Sequence, residues 1–255
     1  MSFYQRTVRS GILSVVLLLA SPDIFAEPMT ESSYKRAFYN TFISRNMPKW
    51  EELIRNMETS GYTRTVDQKL NLINAYYGYI GHLMGKKKYD PIDDYIEKGE
   101  KQIKDVLRMS PNNATAYAFK GSFLGFRMGL NKIKAIYLES DSKEYINKSL
   151  DIDPQNVQGL IDKANLLLYA PRVMGGNKHM ALSYFLKAAA IMEKKKDIHQ
   201  NWAYLNLLTV IAKTYDLTDK TAEAKSMFEK ILRIEPNFVW IKDDLYPKFL
   251  ARQSK

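Results

Sequence analysis

Apolar and small residues recur along this chain in a pattern that returns about every forty residues. It reads GEKQIKDVLRMSPNN at Gly99–Asn113, SKEYINKSLDIDPQN at Ser142–Asn156, ALSYFLKAAAIMEKK at Ala181–Lys195 and AEAKSMFEKILRIEPN at Ala222–Asn237. In each copy a large apolar residue follows a small one by four positions, and a small or apolar residue follows three later, which is one face of a helix. Upstream of the last copy, Leu208, Ile211, Ala212 and Tyr215 fall at i, i+3, i+4 and i+7, so a second helix precedes it across the polar turn Asp216–Lys220. Small residues at Ala212 and Ala224 let that pair approach closely, and Pro236 ends it. Self-similar hairpins of this kind cannot bury their apolar faces alone, so the pattern predicts an all-α solenoid of stacked helical hairpins.

The earlier copies are looser. Tyr117, Gly121 and Leu124 stand in the first helix of Ala114–Pro154, and Leu160, Ala164 and Leu167 in that of Val157–Glu193. In Asp67–Pro111 the small positions are Gly78 and Gly99. Extra residues between the small positions predict inserted loops inside these hairpins, at KKKYDPIDD and NKIKAIYLESD. Glu193 replaces the closing proline of the third copy, which leaves that helix free to run toward Lys196. Tyr34–Arg45 and Pro48–Glu58 read as a preceding helical pair, with Trp50, Leu53, Ile54 and Met57 on one face. Phe238–Leu250 reads as a terminal helix covering the last hairpin. The expected organisation is a leader at 1–26, a helical pair at 27–66, four hairpins at 67–238, and a capping helix with its tail at 239–255.

The hairpin Leu205–Asn237 resembles the tetratricopeptide repeat (TPR), whose pattern sets an aromatic, a small residue, Tyr, Ala, Phe, Ala and Pro at fixed offsets. The stretch YAPRVMGGNKHMALSYFLKA at Tyr169–Ala188 is similar to the proline-then-GG insertion of exported bacterial TPR proteins, including the T-component of TRAP transporter systems. The strings NMPKWEELI, GFRMGLNKIKA and EPNFVWIKDDLYPKFL resemble uncharacterised exported TPR proteins of the Bacteroidetes kind. The resemblance implies a TPR-like α-solenoid with a C-terminal capping helix and a non-catalytic scaffold that binds a protein or peptide in a concave groove. Its alternative is a small-ligand-binding accessory of an envelope transport system.

Composition narrows this further. Arg6 and Arg9 precede an apolar run from Gly11 to Ala20, followed by SPDIFAEP, the anatomy of a secretory leader cleaved after Ala26. The run is too short to span a bilayer, so no stable span is expected after cleavage and the mature chain is expected to be exported, to a periplasm or beyond. There is no cysteine, hence no disulfide and no thiol nucleophile. The formal charge is +10, spread along helices rather than gathered in one run, which does not favour nucleic acid.

No assembled catalytic site is legible. His82, His179 and His199 have no metal-ligand spacing, and neither a GxSxG nor a phosphate-binding glycine loop occurs. His82 reads as a packing residue, and no cofactor or metal is expected. Gly121, Gly125 and Gly129 line one helix face, as a partner-helix contact or a flat wall for a ligand. The resemblance places the groove on the first helices, beside the packing positions. In this sequence that gives Ser122, Phe126, Asn165, Tyr169, Thr209 and Lys213. Asn165 and Lys213 suit a carboxylate or backbone amide; Phe126 and Tyr169 suit apolar anchors. Ile161 and Thr209 stand where a carboxylate clamp has polar or cationic groups, which argues against capture of a peptide C-terminus.

Overall fold

The computed structural model describes residues 29–253; the expected leader at 1–26 lies outside them, as do Ser254 and Lys255. The described residues form eleven α-helices and no strand. These are α1 (Glu31–Ile43), α2 (Met47–Thr59), α3 (Val66–Gly85), α4 (Ile92–Met109), α5 (Ala114–Leu130), α6 (Lys132–Ile152), α7 (Val157–Tyr169), α8 (Lys178–Lys194), α9 (Trp202–Asp216), α10 (Thr221–Ile234) and α11 (Tyr246–Gln253). Helices α3–α4, α5–α6, α7–α8 and α9–α10 are antiparallel hairpins, and each hairpin packs on the next. No helix among the described residues is long and apolar enough to cross a membrane.

Local chemistry sets the boundaries. Asn46, Asn113, Asn156, Asn177 and Asn201 each cap a helix, accepting a backbone N–H two or three residues on. Thr65 and Gln68 form a reciprocal capping box at the start of α3. Pro-x-Asn at 111–113 and 154–156 therefore stops one helix and starts the next with four residues between them. Where no proline stands, α1, α3, α8 and α9 end on a left-handed residue: Arg45, Lys87, Lys196 and Asp219 all have φ between 55° and 58°. At α8 the Lys196 and Asp197 amides donate to the Glu193 and Met192 carbonyls, closing the last turn.

One expected insertion takes a different form. NKIKAIYLESD is not a loop, because only Asn131 separates α5 from α6, and the extra residues lengthen α6 instead. The segment lacks glycine and proline beyond Asn131, so nothing in it breaks a helix. The other insertions, at 86–91 and 170–177, are loops. The terminal cap forms with a widened π turn at Ile241–Leu245, two residues before Pro247, whose ring cannot donate to the preceding turn. Phe249 and Tyr246 then close on Phe228 at 5.3 and 5.5 Å.

The core is made by close helix approach at small residues. A Cβ at Gly78 would sit 2.7 Å from Trp202 and 2.8 Å from Trp50, and one at Gly121 would press on the Ser142 carbonyl. Gly121 is therefore a helix-contact position, and its carbonyl accepts from the Ser142 hydroxyl at 2.9 Å. Gly125 faces open space, so the three-glycine stripe is not one contact.

The solenoid curls until its two ends meet. Helix α1 packs on α9. Phe42 lies 5.7 Å from Trp202 and 5.0 Å from Phe238, and Trp50 meets Trp202 edge-on at 4.9 Å. Tyr39 donates to Glu235 at 2.8 Å, Lys35 pairs with Asp197 at 3.0 Å and Arg45 with Asp244 at 3.3 Å. A second pattern recurs through the molecule: Tyr76, Tyr95, Tyr204 and Tyr246 each donate to a glutamate on a neighbouring helix or turn. Glu193, at the position without its proline, accepts from both Tyr204 and Lys230 and so ties α8 to α9 and α10.

Candidate functional site

The inner face of the superhelix is made by α3, α5 and α7, which pack on one another. Asn156, the cap of α7, also donates to Thr115 in the first turn of α5 at 2.9 Å, which sets the two helices side by side and level. On α7 the residues Gln158, Asp162, Asn165 and Tyr169 fall at i, i+4, i+7 and i+11, a polar and aromatic stripe. On α5 the matching stripe is Thr115, Phe119, Ser122 and Phe126. Tyr77 reaches from α3 to both.

Asp162 is the centre. It is 2% exposed, yet carries a carboxyl group in the middle of an apolar hairpin. Gln158 Nε2 donates to Oδ2 at 2.9 Å and Tyr77 Oη donates to Oδ1 at 3.3 Å. Burial raises its pKa to about 7, and the surrounding polar side chains, Gln158 and Tyr77 among them, oppose that rise. Asn165 Nδ2 also donates to Tyr77 Oη at 3.2 Å. Burial and the facing carboxylate hold the Tyr77 phenol well above its ordinary value, so it stays protonated and donates. Phe126 packs on Tyr77 at 5.3 Å and on Phe123 at 5.7 Å. Tyr169, one turn beyond Asn165, is 74% exposed.

Four of the six residues expected from sequence thus come together on α5 and α7. Ser122, Phe126 and Asn165 stand beside Tyr77 and Asp162, and the exposed Tyr169 stands at the end of α7 near Tyr77. Thr209 does not join them. It is fully buried in α9, with its hydroxyl bonded to the Leu205 carbonyl at 2.8 Å, because the curled solenoid packs that face of α9 within the core. Lys213 lies exposed on α9, one hairpin further along. Tyr77 and Asp162 were not expected. The signal for Asp162 was the stripe itself, a carboxylate at helical spacing from Gln158 and Asn165.

The expected open groove is also modified. Helix α1 and Trp202 take up space at the α9 end of the inner face, leaving the half-exposed patch of Phe126, Asn165 and Tyr169 over a satisfied polar floor. Two clefts of about 400 and 450 Å³ lie elsewhere and open to solvent, one lined by Pro154, Lys187 and Ile191 and the other by Tyr89, Asp93 and Leu130. His82 is half-buried, with its ring stacked near Tyr79 at 6.3 Å. Burial first, then Lys86, Arg45 and Lys88, lower its pKa, so it is neutral near pH 7. Among the described residues no three of His, Asp and Glu gather as metal ligands.

The last hairpin decides the relationship. Residues 205–238 match the family model described as tetratricopeptide repeat. The chain carries a tetratricopeptide repeat. That match spans α9 and α10, the hairpin in which Ala212, Ala224, Phe228 and Pro236 keep the repeat's spacing most closely. No curated protein matches the chain in sequence. A solved structure from a functional characterization of Pseudomonas aeruginosa PilF is similar, at 18% identity and a TM-score of 0.47. The match covers 74% of this chain and 71% of that one.

Proposed function

We propose that this chain is a non-catalytic, exported scaffold that binds a segment of a protein partner on the inner face of α5 and α7. The observation that carries the reading is the convergence of Phe126, Asn165 and Tyr169, from two parallel helices, over the Tyr77–Asp162 network. Aromatic rings beside an amide make a recognition surface for polypeptide: the rings supply apolar anchoring and the amide pairs with a backbone N–H or C=O. The tetratricopeptide repeat at 205–238 supports protein interaction as the purpose of the architecture. The floor supports binding rather than turnover, because the Asp162 side chain is held by internal donors, Gln158 and Tyr77, and is 2% exposed. Export rests on the leader-like segment at 1–26.

The test is affinity capture from the native cell envelope with wild-type protein and with a Phe126→Ala, Asn165→Ala, Tyr169→Ala variant. A protein retained by the wild type and lost by the variant is the expected result. Equal retention by both, or retention of nothing, overturns the reading.

A further inference from the structure

Apart from Tyr169 of the inner face, the three most exposed apolar side chains of the described residues stand at one edge of the solenoid. Val173 is 95% exposed, Tyr137 76% and Ile133 75%, followed on that edge by Tyr89 at 49% and Met174 at 41%. They stand on the connections inside successive hairpins: α3 to α4, the start of α6, and α7 to α8. That these connections lie together follows from contacts. Tyr89 and Asp90 line one cleft with Gly129 and Leu130, Met84 lies against Gly129, and α5 and α7 run level.

The tip that carries Val173 is built to project. Gly175 has φ +89°, and a Cβ on Gly176 would lie 1.9 Å from the Ala170 carbonyl oxygen, so both positions need glycine. Amides of Met174 and Gly176 donate to the Pro171 carbonyl at 2.9 and 3.0 Å, and that of Asn177 to Leu167 at 2.8 Å. A closed, hydrogen-bonded turn thus holds a bare valine in solvent.

Cations accompany these side chains. Lys86, Lys87 and Lys88 are exposed in the first connection, and the third carries exposed Arg172 and Lys178 with no acid between 169 and 180. Asp90 and Asp93 stand on the same edge. At the opposite edge the turn at 150–157 holds Asp151 and Asp153 and no cation, while the α8–α9 connection holds exposed Lys194, Lys195 and Lys196 beside Asp197. What sets the first edge apart is the pairing of cations with projecting apolar side chains.

We propose that this edge rests on an anionic lipid bilayer. Single apolar side chains projecting from separate turns fit a deformable apolar layer, whereas a folded protein partner calls for a continuous, complementary patch. Tyrosines suit the headgroup level, and the lysines and arginine match an anionic surface in charge. The contact is peripheral and involves no span. It does not depend on the inner-face binding proposed above.

The experiment is flotation of the full chain with vesicles of phosphatidylcholine containing about 30 mol% phosphatidylglycerol, and with phosphatidylcholine alone, at about 100 mM salt. The wild type floats with the anionic vesicles and at least about tenfold less with the neutral ones. Two variants, Val173→Asp with Met174→Asp and Lys86→Glu with Lys87→Glu and Lys88→Glu, each lose binding by about tenfold or more while keeping their circular dichroism. Because 1–26 remains in every variant, a Val173→Trp variant locates the contact. Its fluorescence is quenched by brominated lipid if the edge is in the membrane. No binding to anionic vesicles, equal binding of wild type and variants, equal binding to neutral vesicles, or an unquenched tryptophan in bound protein each overturns the proposal. Protection of residue 173 by a protein rather than by lipid overturns it too.

Discussion

Two buried polar residues show how single positions set the balance of this molecule. Ser149 is fully buried and its hydroxyl has no partner among the described residues. An unpaired buried hydroxyl costs about 1 kcal/mol or more, so Ser149→Ala should stabilise the protein by about 1 kcal/mol, read as a rise in the denaturation midpoint. Asp162 acts through protons. Its folded pKa is raised, from 3.8 to about 7, so between those values the folded chain holds a proton that the unfolded chain has released. Stability from this group is therefore fully present below about pH 4, declines as pH rises toward 7, and is level above it. The amplitude is on the order of a few kcal/mol. Asp162→Asn should flatten that decline between about pH 5 and 7.5 in denaturation midpoints. The lowered carboxylates, Glu193 paired with Lys230 and Asp244 with Lys248, lose their contribution only as pH falls below the ordinary carboxylate range. His82, lowered from 6.5, acts inside this window with the opposite sign in wild type and variant alike, so the difference between the two profiles reads Asp162. A variant whose pH dependence matches the wild type contradicts the role given to Asp162.

At the scale of elements, the helix ends marked by proline were legible, while the helix starts rest on caps that the spacing of apolar residues does not single out. Those asparagine and threonine caps are local chemistry. The hairpins were legible because Gly78, Gly99, Gly121, Ala164, Ala181, Ala212 and Ala224 recur at packing positions. What was not legible was whether extra residues make loop or helix: NKIKAIYLESD continues α6, since helix extension depends on what the added turns pack against. The ends without proline close instead on left-handed residues, a backbone state that costs a side chain about 1–2 kcal/mol. Lys196, at φ 56°, is such a position after α8. Lys196→Gly should raise stability by about 0.5–1 kcal/mol, and thermal unfolding checks it. A loss of stability would mean that the lysine side chain contributes more than its backbone strain costs.

For the whole molecule, the curl of the solenoid is the feature that sequence spacing did not reveal. Repeats specify contact with the next hairpin, but the meeting of α1 with α9 arises from rotations summed over all of them. Phe42, Trp50, Trp202 and Phe238 make that junction, with Trp202 8% exposed. Trp202→Ala should cost about 3–5 kcal/mol and split one unfolding transition into two, because Trp202 reaches from α9 into the apolar cluster of α1–α5 and joins it to that of α7–α11. A single undivided transition would show that the ends fold as one body without it. The same curl explains the outcome at the site. Four of the expected residues stay together on α5 and α7, Thr209 is enclosed, and the long open groove becomes a short patch. We propose that this patch engages a protein segment. Its most direct test is site-specific photo-crosslinking in native envelope, with the crosslinking residue placed at 169 in one sample and at 186, on the outer helix α8, in another. A discrete protein adduct from 169 and none from 186 is the expected result. Adducts from 186 alone, the same adducts from both, or none from either would contradict it.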